Sequence, residues 1–294
     1  MKTLRVIEPG PLTTVQDLGR PGRAADGVGM SGAADSTSLR LANRLVGNVE
    51  GAAGLEMTLG GLSVEAQCLT IAALTGAPAP VTVDGRAESV NSLLVLRPGK
   101  RLTVGPPSSG LRTYAAFRGG IDTPVILGSR STDLLAGLGP APLRAGDRLP
   151  LGVPEGPYPC IDHAPVPAPA QAGATVRLRF TLGPRHDWFE PDAVQTLTCS
   201  IWQVEAQSNR IGVRLSGPPL PRRRQEELPS EGAVLGAVQV PPSGPVLFLA
   251  DHPLTGGYPV IGVLDAASVA RAAQVRPGTC VHFKRLHPRT SVPA

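Results

Sequence analysis

The sequence predicts a mainly β protein in two domains, built as barrels or sandwiches with only a few short helices. Three observations carry this. Short apolar runs bounded by glycine and proline recur along the chain, the pattern of strands separated by tight turns. One kind of turn appears three times, each time before an alternating stretch: RPGKRLTV from Arg97, RAGDRLPL from Arg144 and RPGTCVHF from Arg276. Its glycine supplies the positive φ that such a turn needs. Finally, six prolines fall between Pro154 and Pro169, and such a segment cannot maintain a ladder of backbone hydrogen bonds.

Taken in order, the N-terminal MKTLRVIEPGPLTTV reads as a first strand. It lacks the apolar core and small-residue cleavage site of a secretion signal. Asp35 is a good N-cap, and Leu39, Ala42, Leu45 and Val46 then follow at helical spacing until Gly47. LSVEAQCLTIAAL (62–74) and SVNSLLVL (89–96) read as strands of the same half. The proline-rich stretch divides the chain into a domain over 1–152, a linker over 153–172 and a domain over 173–294, both domains of ordinary size. ATVRLRFTL (174–182) and GPVLFLAD (244–251) are strands of the second half. Pro191 opens one short helix there. Asp265 caps another, with Val269, Ala272 and Ala273 inward and Pro277–Gly278 as its stop.

Composition excludes several classes. With 41% hydrophobic and 17% charged residues the chain reads as a soluble cytoplasmic protein, and no run reaches the roughly 18 apolar residues of a membrane span. Lys2, Lys100 and Lys284 are the only lysines, so arginine supplies most of a modest net charge of +5. The cluster Arg222–Arg224 lacks the interleaved aromatics of a nucleic-acid surface. It reads as a solvated loop or one that faces an acidic partner or ligand. Cys68, Cys160, Cys199 and Cys280 form no C-x-x-C pair and are expected to be reduced and mostly buried. His163, His186, His252, His282 and His287 show no metal-ligand spacing. Walker A, Ser-x-x-Lys, G-x-S-x-G and H-E-x-x-H motifs are all missing. So is the Met-Lys-Met context of a biotinylated lysine.

What remains is a set of groups suited to oxyanions. TTVQDLGRPG (13–22) holds Gln16, Asp17 and Arg20 on a loop stiffened by Gly19, Pro21 and Gly22. A guanidinium there suits a carboxylate or phosphate. Asp17 and Arg20 are read as catalytic, with Arg20 a surface guanidinium, and a structural Asp17–Arg20 pair closing the turn is the alternative. Gly128, Ser129, Arg130, Ser131 and Thr132 combine a free backbone, three hydroxyls and an arginine, as either an anion loop or an ordinary Ser/Thr turn. Asn209, Arg210 and Arg214 sit before and inside a strand, where alternation places both arginines on one face. They read as a ligand pair or as surface salt bridges, with Gln239 and Tyr258 able to complete a pocket if their strands are neighbours. Asp251 and His252 read as an acid/base pair or as a turn cap. Thr255, Gly256, Gly257 and Tyr258 follow, the glycines allowing close backbone approach. Glu56, in an apolar run, is paired to an arginine or catalytic. Ser31, Arg112 and Tyr114 complete the polar inventory.

In sequence order, TTVQDLGRPG, GVGMSGAADSTSLRLANRLVGN (27–48), GLEMTLGG (54–61), ALTGAP (73–78), LRTYAAFRGGID (111–122), LGSRST (127–132), SNRIGVRLSGPPL (208–220), SEGAVLGAVQVPPSG (230–244) and LADHPLTGGYPVI (249–261) resemble the allophanate-hydrolase subunit 2 family. It is also called KipA or biotin-dependent carboxyltransferase-like. The resemblance covers nearly the whole chain apart from the middle linker and the last residues. It implies two cyclophilin-like β-barrel domains with a few short helices. Within the family the chain looks most like the C subunit of the ATP-dependent 5-oxoprolinase. That likeness implies opening of 5-oxo-L-proline to L-glutamate, with ATP as co-substrate, Mg accompanying the nucleotide, and a KipI-like protein and a LamB/YcsF-like protein as partner subunits. The family also implies two alternatives: a carboxyltransferase acting on urea or a related amide, with carboxybiotin carried elsewhere, and a KipA-like regulator that binds a KipI-like kinase inhibitor. The sequence departs from the family pattern at GLGPAPLRAGD, where Pro140 and Pro142 intrude, and at Arg23–Ala24–Ala25, where an aromatic is usual.

Overall fold

The computed structural model describes residues 2–158, 161, 163–166 and 173–286. Cys160, His287 and much of the proline-rich segment lie outside the described residues. Contacts divide the chain into two compact units, Met1–Ala172 and Gly173–Ala294.

In the first unit the chain runs β1 (Thr3–Pro9), β2 (Leu12–Gln16), α1 (Ser36–Leu45), β3 (Gly54–Thr58), β4 (Leu62–Ala66), β5 (Thr70–Gly76), β6 (Val81–Val83), β7 (Arg86–Glu88), β8 (Leu93–Leu96), β9 (Arg101–Val104), β10 (Arg112–Phe117) and β11 (Arg148–Pro150). These strands form two antiparallel sheets, ordered β11-β1-β4-β9-β6-β7 and β2-β3-β10-β5-β8. The sheets share one core: Leu4, Val6, Val64 and Leu102 from the first meet Leu55, Met57, Leu74 and Phe117 from the second. α1 covers the other face of the second sheet, packing Ala42, Leu45 and Val46 on Ile71, Ala73 and Ala116. β10 and most of β5 are therefore buried on both faces, which is why their sequences read as unbroken apolar runs rather than as alternation. Asp35 caps α1 by accepting from the Ser38 amide at 3.1 Å.

The start of the proline-rich segment is tied to this unit. Arg118 donates to the Val46 carbonyl at 3.0 Å and to the Gly156 and Pro157 carbonyls, each at 3.0 Å. Its guanidinium also lies 4.8 Å from the centre of the Tyr158 ring. Further on, the Ala164 amide donates to the Asn91 carbonyl at 2.8 Å.

The second unit contains β12 (Val176–Leu182), α2 (Ala193–Cys199), β13 (Ile201–Val204), β14 (Gly212–Ser216), β15 (Glu231–Gly232), β16 (Ala237–Gln239), β17 (Val246–Phe248), β18 (Thr255–Gly256), β19 (Val260–Leu264), α3 (Ala266–Ala272) and β20 (Cys280–Arg285). Seven strands close a barrel in the order β12-β19-β16-β17-β14-β13-β20, and β15 and β18 form a small ribbon. β12 alternates buried and exposed along its length, with Val176, Leu178 and Phe180 inside, and Phe180 meets Phe283 edge to face at 5.9 Å. Asp265 caps α3 through the Ser268 amide at 2.8 Å.

All three repeated turns place glycine in the left-handed region: Gly99 at φ 80°, Gly146 at 93° and Gly278 at 83°. They lead into β9, β11 and β20. The expectation of buried thiols is corrected: Cys199, at the end of α2, is exposed, and Cys68 and Cys280 are half-buried. Among the described residues no helix is long and apolar enough to cross a membrane.

Candidate functional site

β2 delivers Gln16 and Asp17 to a loop that meets residues 126–132. The Asp17 carboxylate is nearly buried and accepts from four donors. Oδ1 takes the Gly19 amide at 2.8 Å, the Ser129 hydroxyl at 2.6 Å and the Ser131 hydroxyl, while Oδ2 takes the Arg130 amide at 2.6 Å. The two serine hydroxyls thus point at Asp17, not outward. Thr132 donates its hydroxyl to the Pro140 carbonyl at 2.8 Å, and Ser31 donates to the Thr132 carbonyl at 3.2 Å. Asp17 and Arg20 do not pair with each other. Arg20 is 1% exposed, donating to the Ile126 carbonyl at 3.3 Å and to the Ser131 carbonyl. The expectation of a surface guanidinium is corrected, because the crossing of residues 126–132 over the loop encloses it.

Arg130 differs from its neighbours. Its amide is held by Asp17, but its side chain is 35% exposed and paired with Asp122 at 2.7 Å. It borders a cleft of about 340 Å³ lined by Asp17, Asn48, Gly119, Gly120, Asp122, Arg130 and Glu155, among others. Among the described residues Arg130 is the one cation there, against three carboxylates. Asn48 fixes the cleft wall: its Oδ1 accepts the Gly119 amide at 2.8 Å and its Nδ2 donates to the Phe117 carbonyl at 2.8 Å. Sequence reasoning does not single out Asn48, Asp122 or Glu155. The Gly119–Gly120–Ile121–Asp122 run is a usable signal, whereas Glu155 is hidden by its place among the prolines.

Glu56 is paired. Its Oε1 lies 3.4 Å from Arg112 Nε, and its Oε2 accepts the Tyr114 hydroxyl at 2.8 Å and the Ala34 amide at 2.9 Å. The Tyr114 hydroxyl in turn accepts the Asp35 amide at 2.8 Å. All three side chains are buried. Burial, and then the Glu56 charge, push the Tyr114 hydroxyl well above its ordinary pKa. This network anchors the start of α1.

In the second unit the predicted groups separate into two places. Arg210 and Asp251 form a buried two-pronged pair, Nε to Oδ2 at 2.8 Å and Nη2 to Oδ1 at 2.9 Å. Arg214 is exposed on β14. The expectation that the two arginines share a face is corrected: β14 begins only at Gly212, and Arg210 turns inward before it to meet Asp251. Asn209 caps this turn, its Oδ1 accepting the Ile211 amide at 2.8 Å. Gln239 pairs in register with Val246, which faces Arg214, so it sits level with Arg214 and away from Arg210. Gln239 instead donates to the Tyr258 carbonyl at 3.0 Å. A Cβ on Gly256 would meet Gln239 Nε2 at 2.4 Å, so glycine permits this approach. Arg222 lies 5.6 Å from the centre of the Tyr258 ring. Thr255 and Gly256 form β18, and Gly257 and Tyr258 are exposed beyond it. His252 does not pair with Asp251 but stacks on Phe248 at 5.8 Å, with Nδ1 on the Pro253 carbonyl at 2.8 Å.

Comparison with known proteins shows the family to which these two β-rich units belong. Residues 26–285 match the carboxyltransferase domain, subdomain A and B, and the chain belongs to that family. It is 40% identical to the C subunit of 5-oxoprolinase from Escherichia coli (strain K12) over 95% of this chain and 90% of that one. The crystal structure of the K. lactis urea amidolyase aligns with a TM-score of 0.90 at 32% identity, over 97% of this chain but 19% of that one. The crystal structure of TTHA0988 aligns at 0.87 and 36% identity, and there the chain spans 56% of the longer protein.

Proposed function

We propose that this chain is one component of a cytoplasmic ATP-dependent 5-oxoprolinase, which opens 5-oxo-L-proline to L-glutamate together with KipI-like and LamB/YcsF-like subunits. The observation that carries this is the 40% identity to the C subunit of a 5-oxoprolinase, which this chain matches over 90% of its length. A lactam carbonyl is a poor electrophile. Transfer of a phosphoryl group from ATP, with its Mg, to the amide oxygen makes that oxygen a leaving group. Water then adds to the carbon, the C–N bond breaks with the nitrogen taking a proton, and a second water splits the resulting acyl phosphate into the carboxylate and inorganic phosphate. In this reading the role of the chain is to hold anionic oxygen. Arg130 is the group best placed for it, since Asp17 holds its backbone and Asp122 its guanidinium at the mouth of the cleft. Asp17 and Arg20 act as positioning residues for that loop, and Arg210 with Asp251 as the corresponding lock of the second unit. Glutamate release from 5-oxoproline and ATP by the three purified proteins tests the proposal. No glutamate from the full set overturns it. Binding to the KipI-like protein without turnover would point to a regulator instead.

The likeness to urea amidolyase favours a second reading, carboxyl transfer from carboxybiotin to urea or a related amide. It requires a separate biotin carrier, and a biotin-bearing protein that co-purifies with this chain would support it.

A further inference from the structure

The outer face of the barrel in the second unit carries a basic groove that the candidate site does not use. β12, β20 and β13 lie side by side. Their register sets Arg177 beside His282, His282 beside Ile201, and Arg179 beside Lys284. Strand alternation sends Val176, Val281 and Trp202 into the barrel. Arg177, Lys284 and Ile201 are left exposed, and His282 half-buried. Two hollows of about 480 and 450 Å³ adjoin here and share His282 and Lys284. Among the described residues no carboxylate lines either one. Asp265 neutralises Arg179 at 2.7 Å. Arg177, His282 and Lys284 make no side-chain hydrogen bond or ion pair among the described residues.

Cationic side chains on adjacent strands repel unless something neutralises them. Their spacing says what would. Neighbouring strands are about 4.8 Å apart and alternate residues of one strand about 6.6 Å, so these cations are spread along the sheet and do not converge on a single small anion. Ile201, 51% exposed, lies among them. An apolar centre within a charged rim is the anatomy of a protein interface. We propose that this groove docks an acidic segment of a companion protein in the complex, with carboxylates meeting Arg177 and Lys284 and an apolar side chain covering Ile201. The proposal rests on the reading of the chain as one subunit of a complex.

Its test uses the full chain with both arginine and lysine reversed, R177E/K284E, alongside the neutral R177Q/K284Q in case the reversal impairs folding. Thermal melting and far-ultraviolet circular dichroism report the fold. Association with the purified KipI-like and LamB/YcsF-like proteins is measured by calorimetry at low and high salt. Wild-type binding should weaken with salt. The glutamine pair should bind roughly tenfold more weakly and the glutamate pair more weakly still, since neutralisation removes the rim attraction and reversal adds repulsion. Wild-type affinity in both folded variants overturns this proposal and leaves the reading as part of a complex intact. No binding of either companion by the wild-type chain overturns both. Saturable binding of inorganic phosphate that both variants lose would assign the groove to a small anion and also overturn it.

Discussion

Asp17 tests whether the first loop is a lock or a chemical group. Replacing it by alanine removes the acceptor for four donors. The Ser129 and Ser131 hydroxyls can rotate to other acceptors. The Gly19 and Arg130 amides cannot, being fixed by the backbone. An orphaned buried donor costs about 1–3 kcal/mol, so two of them cost roughly 4 kcal/mol. In a unit of this size each kcal/mol lowers Tm by about 2–4 °C, which gives a fall of roughly 8–16 °C. Asp17→Asn is the finer probe. It keeps Oδ1 with its three donors but sets an amide nitrogen against the Arg130 N–H, costing about 2 kcal/mol and roughly 4–8 °C. Calorimetric melting of the three proteins, beside glutamate formation by the assembled complex, makes the comparison. If both variants melt with the wild type while glutamate formation collapses, Asp17 acts on substrate and the lock argument is wrong.

Arg20→Ala should likewise destabilise, by about 2–4 kcal/mol in urea unfolding, because it empties a buried volume and takes the guanidinium donor from the Ser131 carbonyl, while the Ile126 carbonyl keeps the Ser129 amide. Arg210→Lys keeps the charge but loses one arm of the fork onto Asp251, and should cost about 1.5–3 kcal/mol, the worth of a charged hydrogen bond; Arg214→Lys, at an exposed position, should stay within about 0.5 kcal/mol of wild type. Gly139→Ala should lower Tm, since its φ is 83° and a Cβ would lie 2.0 Å from the Ser131 carbonyl oxygen, a conflict worth more than about 1 kcal/mol. Glu50 is held below the ordinary carboxylate value of 4.5 by hydrogen bonds from Arg40 and then Arg44. A lowered folded pKa stabilises above the unfolded value and is lost as pH falls. The wild-type advantage in melting over Glu50→Gln should therefore be full above pH 4.5 and disappear as the pH drops below it.

Much of the secondary structure was legible because its causes are local. Asp35 and Asp265 cap helices through amides three residues on. The turns at Gly99, Gly146 and Gly278 need only a residue free to take positive φ. Pro191 stands just before α2. The candidate site was legible as an inventory and not as an arrangement. Glu56 in an apolar strand announced a buried partner, and Arg112 proved to be one. Strand alternation, applied to Arg210 and Arg214, failed because nothing in RIGVRL marks where the strand begins.

By itself, then, the sequence determined the class of fold, the capped helices, the repeated turns and the family whose motifs it carries, since each depends on residues a few positions apart. Tertiary structure alone decided which polar groups are occupied. Asp17 meets the Ser129 and Ser131 hydroxyls 112 and 114 positions away, and Arg210 meets Asp251 41 positions away. A charge in a loop has many possible partners along the chain. Strand order and register bring only a few of them within hydrogen-bonding distance, and a buried charge is stable only beside one of those few.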